Sequence, residues 1–173
     1  KGLNISTVSI GFDPFNNLSE VPQSPKTRYK IMTSEMPKEG KQSLDMMYRT
    51  CGIQINYDYI SESNFEKIFR LGNYLTPLTI ALYSNSPFES GKATGYYSYR
   101  NKVWQNTSRG GIMPIAFETM TFEKYFDYVI EYPILFAIRD KYIEPNGQSF
   151  KDFILGNFSN VKDEANLKDF ETH

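Results

Sequence analysis

The chain has 173 residues with a net charge of −1, from 19 Lys and Arg against 20 Asp and Glu, and it is 40% hydrophobic and 16% aromatic. That is the make-up of one soluble domain with a core of its own, and it offers no basic field for a nucleic acid backbone or an anionic membrane. A lone cysteine, Cys51, excludes an intrachain disulfide framework, and a lone histidine at the last position, His173, excludes Cys/His zinc patterns and internal Ser-His or Cys-His pairs.

No apolar run approaches the roughly 18 residues of a membrane span, and the start, Lys1-Gly2-Leu3-Asn4-Ile5-Ser6, is not a signal peptide. The expectation is a soluble, reduced protein. Asn-X-Ser sequons at Asn4, Asn17, Asn106 and Asn157 are read as chance matches in an Asn- and Ser-rich sequence.

In chain order, residues 3–12 predict a strand, with Val8, Ile10 and Phe12 alternating until Asp13-Pro14 stops it. Ser24-Pro25 has the chemistry of a helix start, and residues 26–35 place Tyr29, Ile31 and Met32 on a short amphipathic helix ended by Pro37 and Gly40. Residues 51–59 alternate most cleanly: Cys51, Ile53, Ile55, Tyr57 and Tyr59 on one face, Gly52, Gln54, Asn56 and Asp58 on the other. Ser61 or Ser63 then caps a long helix, with Phe65, Ile68, Phe69, Leu71, Leu75, Leu78 and Leu82 at helical spacing up to Tyr83 and a kink expected at Pro77. This helix is expected to cover the apolar face of the 51–59 strand.

Residues 85–95 form a loop that delivers the aromatic and basic run 96–104, and a second loop follows at 106–111. Helix signals return over 122–132 and stop at Pro133; residues 134–139 and 141–144 predict two short strands around a turn. Gln148-Ser149 opens a short helix to Leu155, and the last residues begin another. Helices mixed with irregularly placed strands indicate an α+β fold with an antiparallel sheet, residues 1–173 forming one domain.

Three groups could carry chemistry. Gln54, Asn56 and Asp58 form a polar row that either faces solvent or supplies oxygens to a hard cation such as magnesium. Arg100, Trp104 and Arg109 lie beside two glycine-containing loops, where a guanidinium could clamp a carboxylate or phosphate under an indole; the alternative is a core tryptophan with solvated arginines. Arg28-Tyr29 on the short helix reads, taken alone, as surface. Gly91-Lys92 is not a Walker A loop and no GxGxxG occurs, so any ATP would bind on another fold. Nothing in the spacing of Asp45, Glu89, Glu118 and Asp127 selects an acid/base pair.

The blocks Arg28-Tyr29-Lys30-Ile31-Met32, Met36-Pro37-Lys38 and the run from Leu44-Asp45-Met46-Met47-Tyr48-Arg49-Thr50-Cys51 to Tyr59 closely resemble glutamate-cysteine ligases of the plant and proteobacterial type. Leu75-Thr76-Pro77-Leu78, Asn85-Ser86-Pro87-Phe88, Gly91-Lys92, Ser98-Tyr99-Arg100, Trp104, Arg109 and the segment from Gly147 to Phe153 follow in that family's order. The resemblance implies a glutamine-synthetase-like antiparallel sheet covered by helices and an enzyme that uses ATP and Mg2+. The γ-carboxylate of L-glutamate would be phosphorylated by ATP and attacked by the amine of L-cysteine, giving γ-glutamylcysteine, the first step towards glutathione.

By position, the resemblance makes Gln54 a residue near the metal and Asn56 its partner facing nucleotide phosphate. It assigns Arg100 and Trp104 to glutamate binding, Arg109 to the reacting phosphate as the catalytic residue, and Arg28 with Tyr29 to the acceptor side. Two departures stand out: the loop between Trp104 and Arg109 is shorter and lacks the family's aspartates, and Leu135 stands where relatives often carry an aromatic lining the cysteine pocket. Family members are also longer at both ends, so the chain reads as an internal piece of a catalytic domain, inactive alone, with acidic magnesium ligands expected before Lys1. The compartment expected is the cytoplasm, or the plastid if the source is a plant. Competing readings are a related carboxylate-amine ligase with another acceptor, and a non-catalytic module whose aromatic loop stacks on a sugar.

Overall fold

The computed structural model describes residues 2–3, 5–108, 110, 113, 118–158 and 164–171. After a short 3-10 turn at Leu18–Glu20 come helices α1 (Thr27–Glu39), α2 (Ser43–Arg49) and α3 (Glu62–Tyr83), a hairpin of β1 (Phe88–Glu89) and β2 (Lys92–Ala93), then α4 (Tyr99–Gln105) and α5 (Phe122–Ile130). A second hairpin of β3 (Ala137–Ile138) and β4 (Tyr142–Ile143), with α6 (Phe150–Ile154) and α7 (Leu167–Glu171), completes the order. Both hairpins are antiparallel, in the registers Phe88↔Ala93 and Ala137↔Ile143. The architecture is mixed α+β, as expected.

Local chemistry explains most boundaries. The Ser61 hydroxyl accepts the Asn64 amide and starts α3, Thr121 does the same for α5 through Lys124, and Ser149 with Asp152 forms a reciprocal capping box on α6. Helix α1 begins later than Ser24-Pro25 suggests, at Thr27, and it continues past the expected stop at Pro37 to Glu39, where the Gly40 amide bonds the Met36 carbonyl. Proline in a last turn forfeits a single ladder bond, which the following turn offsets.

Three expectations fail. Residues 3–12 form no strand among the described residues, meeting the following chain at one isolated antiparallel bridge, Phe12↔Thr50, and residues 51–59 belong to no strand either. Nor does α3 cover their apolar face: Ile53 is 94% exposed, and Ile55, Leu71, Leu78 and Leu82 are also exposed. Period-2 alternation reports an extended chain's two faces, but a ladder also needs a neighbour to accept and donate its hydrogen bonds. The first turns of α3 are packed, with Phe65 and Phe69 in a ring cluster with Tyr59, Phe122 and Tyr125. No helix among the described residues is long and apolar enough to cross a membrane.

The buried mass lies elsewhere. Ile130, Ile134, Phe150, Phe153 and Phe158 form one cluster, lined further by Ile143, Ala165 and Phe170. Phe12, Ile31, Met36 and Val103 are the apolar residues buried where α1, α2 and α4 pack together.

Candidate functional site

The site is built on Ser86, which is itself buried. Its amide donates to the Tyr97 carbonyl (3.0 Å), its carbonyl accepts the Tyr99 amide (2.9 Å), and its hydroxyl accepts the Arg100 amide (3.1 Å). With Ser98 capping α4 through the Asn101 amide, these bonds fix the start of the helix and the direction of Arg100. Gln42 clamps both ends of α4: its amide nitrogen donates to the Tyr99 hydroxyl (3.1 Å) and its amide oxygen accepts from Asn106.

Arg100 then runs between two backbone segments with no side chain to obstruct it. A methyl on Gly11 would lie 3.2 Å from Arg100 Cδ, and one on Gly52 would lie 3.0 Å from Nη2. The guanidinium sits over the Trp104 ring, 5.3 Å from its centre, one helical turn along α4. Arg100 Nε and Trp104 Nε1 are both buried without a hydrogen-bond partner among the described residues. Buried donors ordinarily find acceptors, and a guanidinium with an indole N–H can serve a carboxylate or a phosphate.

The Arg100–Trp104 pairing expected from the sequence is therefore present. Gln54 and Asn56 are exposed, on the segment that follows Gly52. Arg28 and Tyr29 stay apart from the pair: Arg28 is exposed in the first turn of α1 and stacks on its own neighbour, 5.0 Å from the Tyr29 ring centre. Arg109 lies outside the described residues. Leu135 is half-buried, next to the buried Ile134.

Sequence reasoning missed Arg49. Its side chain is 2% exposed and its Nη1 donates to Asp45 (2.8 Å) and Glu89 (3.1 Å), while the guanidinium packs 4.5 Å from the Phe12 ring centre. Burial works against the charge, but the hydrogen bonds that Arg49 donates to Asp45 and Glu89 more than offset it, so the Arg49 pKa is raised. The spacing of Asp45 and Arg49, one turn apart, was the available signal; Glu89, 40 positions away, had none. Two of the carboxylates whose spacing selected nothing thus share one arginine. No group of three or more His, Cys, Asp or Glu side chains able to hold a metal occurs among the described residues.

The sequence profile of Glutamate-cysteine ligase family 2 matches residues 1–169. Glutamate-cysteine ligase A, chloroplastic, of rice (Oryza sativa subsp. japonica) is 42% identical over 99% of this chain and 36% of its own length. The chloroplastic glutamate-cysteine ligases of Nicotiana tabacum and Arabidopsis thaliana are 42% and 40% identical, each over 99% of this chain and 34% of their own. The chain thus spans about a third of the length of these relatives. With nearly every residue inside the match, the chain belongs to glutamate-cysteine ligase family 2.

Proposed function

We propose that the chain is an internal piece of the catalytic domain of a glutamate-cysteine ligase, which joins the γ-carboxylate of L-glutamate to the amine of L-cysteine through a γ-glutamyl phosphate made from ATP. The observation that carries the reading is the Arg100–Trp104 pair, with its two buried donors left without partners. A guanidinium presents parallel N–H groups that match a carboxylate, and an indole over it keeps water from weakening the pair. In this reading Arg100 and Trp104 hold the α-carboxylate of glutamate, which leaves the γ-carboxylate free to be phosphorylated. Arg109 is assigned to the reacting phosphate, Asn56 to the nucleotide phosphates, and Arg28 with Tyr29 to the acceptor side.

The same reading places the chain in a glutamine-synthetase-like fold, which the mixed α+β architecture and the antiparallel Phe12↔Thr50 bridge support. Magnesium would neutralise the triphosphate when bound. The described residues do not fit a magnesium site, since Gln54 offers one amide oxygen and no acidic cluster accompanies it. The compartment follows the host, a plastid in a plant, as in the relatives named chloroplastic, and the cytoplasm otherwise.

The test is Arg100→Lys in the full-length ligase. Lysine keeps the charge but not the parallel pair of N–H groups, a loss of about 2 kcal/mol, or roughly 30-fold in kcat/KM for glutamate, with KM for ATP little changed. Unaltered glutamate kinetics would refute the reading.

A further inference from the structure

We infer that Arg49 is a positioning residue for Arg100: it touches no ligand, and it holds the two backbone segments between which Arg100 runs. The inference rests on the ligand role of Arg100 given above.

One guanidinium joins three elements. Nη1 ties Asp45 of α2 to Glu89 of β1, and the planar group packs on Phe12 of the preceding segment. The Arg49 carbonyl accepts the Asp13 amide (2.8 Å), and the next turn of the bridge runs from the Cys51 amide to the Gly11 carbonyl (3.0 Å). Gly11 accepts the second of these bonds and Gly52 follows its donor, Cys51, so the two glycines that flank Arg100 lie two and three residues along the chain from the Asp13–Arg49 bond. A second route leads to the same place, because Phe12 meets the Tyr99 ring edge-on at 5.1 Å and Tyr99 precedes Arg100 on α4. The two Arg49 nitrogens without an oxygen partner, Nε and Nη2, belong to a group lying over the Phe12 ring, whose face can accept them weakly.

A substitution here should displace Arg100 without removing any contact to substrate. The slot is narrow, so a small shift of either glycine segment moves the guanidinium off the geometry that a carboxylate needs.

The experiment is a double-mutant cycle in the full-length ligase with Arg49→Lys and Arg100→Lys. Arg49→Lys should raise KM for glutamate about tenfold while KM for ATP stays within about twofold, and it should add almost nothing once Arg100 is already lysine. Additive effects, or a lowered melting temperature with unchanged KM for glutamate, would overturn the inference. Should Arg49→Lys fail to fold, Glu89→Gln removes one charge at nearly constant shape and should shift the same parameter about threefold; no shift overturns the inference equally. The two levels separate cleanly. A silent Arg100→Lys refutes the ligand reading itself, whereas an effective Arg100→Lys beside silent Arg49 and Glu89 variants refutes only the positioning role.

Discussion

Replacing Asp169 by Asn should loosen the C-terminal part of the fold by an amount the contacts allow to be worked out. Asp169 is 3% exposed; Oδ1 accepts Arg139 Nε (3.1 Å), and Oδ2 accepts both Arg139 Nη2 (2.9 Å) and the Asn166 amide (3.0 Å). Deleting one member of a buried pair costs about 3–5 kcal/mol when the survivor is sealed from water. Arg139 is not sealed: its side chain is 22% exposed, and it also donates to the Glu164 carbonyl and lies over Phe153. The cost should fall to about 2 kcal/mol, a roughly 30-fold increase in local opening. Hydrogen exchange in the full-length protein reads this directly, at the amides of residues 137–143 and 166–171. Acceleration of less than about threefold would refute the reasoning. The pH dependence has a definite sign. Hydrogen bonds from Arg139 hold the Asp169 carboxyl below its ordinary value of 3.8, burial opposes them, and the Asn166 amide adds to them. A carboxylate with a depressed folded pKa contributes stability that is complete above its unfolded value and is lost as pH falls through the folded one. The wild-type protein should therefore lose this protection only below about pH 4, and Asp169→Asn should remove that part of the acid sensitivity.

Phe153→Ala should destabilise by about 3–5 kcal/mol, because Phe153 is 1% exposed and stacks 4.5 Å from Phe158; a smaller loss in chemical denaturation would mean that the cluster collapses around the gap. Ser61→Ala removes the cap of α3 and should cost about 1 kcal/mol, seen as faster exchange at Asn64 and Phe65 with the helix beyond Leu71 unchanged. The 173-residue chain alone should form no γ-glutamylcysteine when supplied with glutamate, cysteine and Mg-ATP, because its described residues gather no acidic metal cluster; product formation would contradict this.

What could be read in advance followed sequence distance. The α3 start at Ser61, the α6 start at Ser149 and the β3–β4 hairpin depend on residues within a turn of each other, and each lies where pattern and turn chemistry put it. The Arg100–Trp104 pair was legible for the same reason, being one helical turn apart. The β1–β2 hairpin was hidden inside a loop, since two-residue strands exist only through their pairing, Phe88↔Ala93 and Glu89↔Lys92. Residues 51–59 failed in the opposite sense: the pattern was strong, yet sheet formation depends on a partner that the pattern does not contain. Arg49 with Glu89 and the slot between Gly11 and Gly52 depend on contacts across dozens of residues, which a single sequence does not encode locally.

Four arginines stack on aromatic rings among the described residues, and their remaining contacts separate structural roles from functional ones. Arg139 spends its charge on Asp169, and Arg49 divides its charge between Asp45 and Glu89. Arg28 is exposed, and its Nη2 reaches the Tyr29 hydroxyl (3.5 Å). Arg100 alone among the four combines a buried, unpartnered nitrogen with the absence of any carboxylate partner among the described residues, and the indole stacked against it shares the first defect. A buried donor without an acceptor costs about 1–3 kcal/mol, and nothing in the packing of α4 requires that cost: a leucine at position 100 would leave the Ser86 bond to its backbone amide intact. On the proposed reading, an anion bound there would offset that cost. A carboxylate would satisfy the guanidinium and the indole together, and so the same two residues that weaken the free protein locally are those that would hold the substrate.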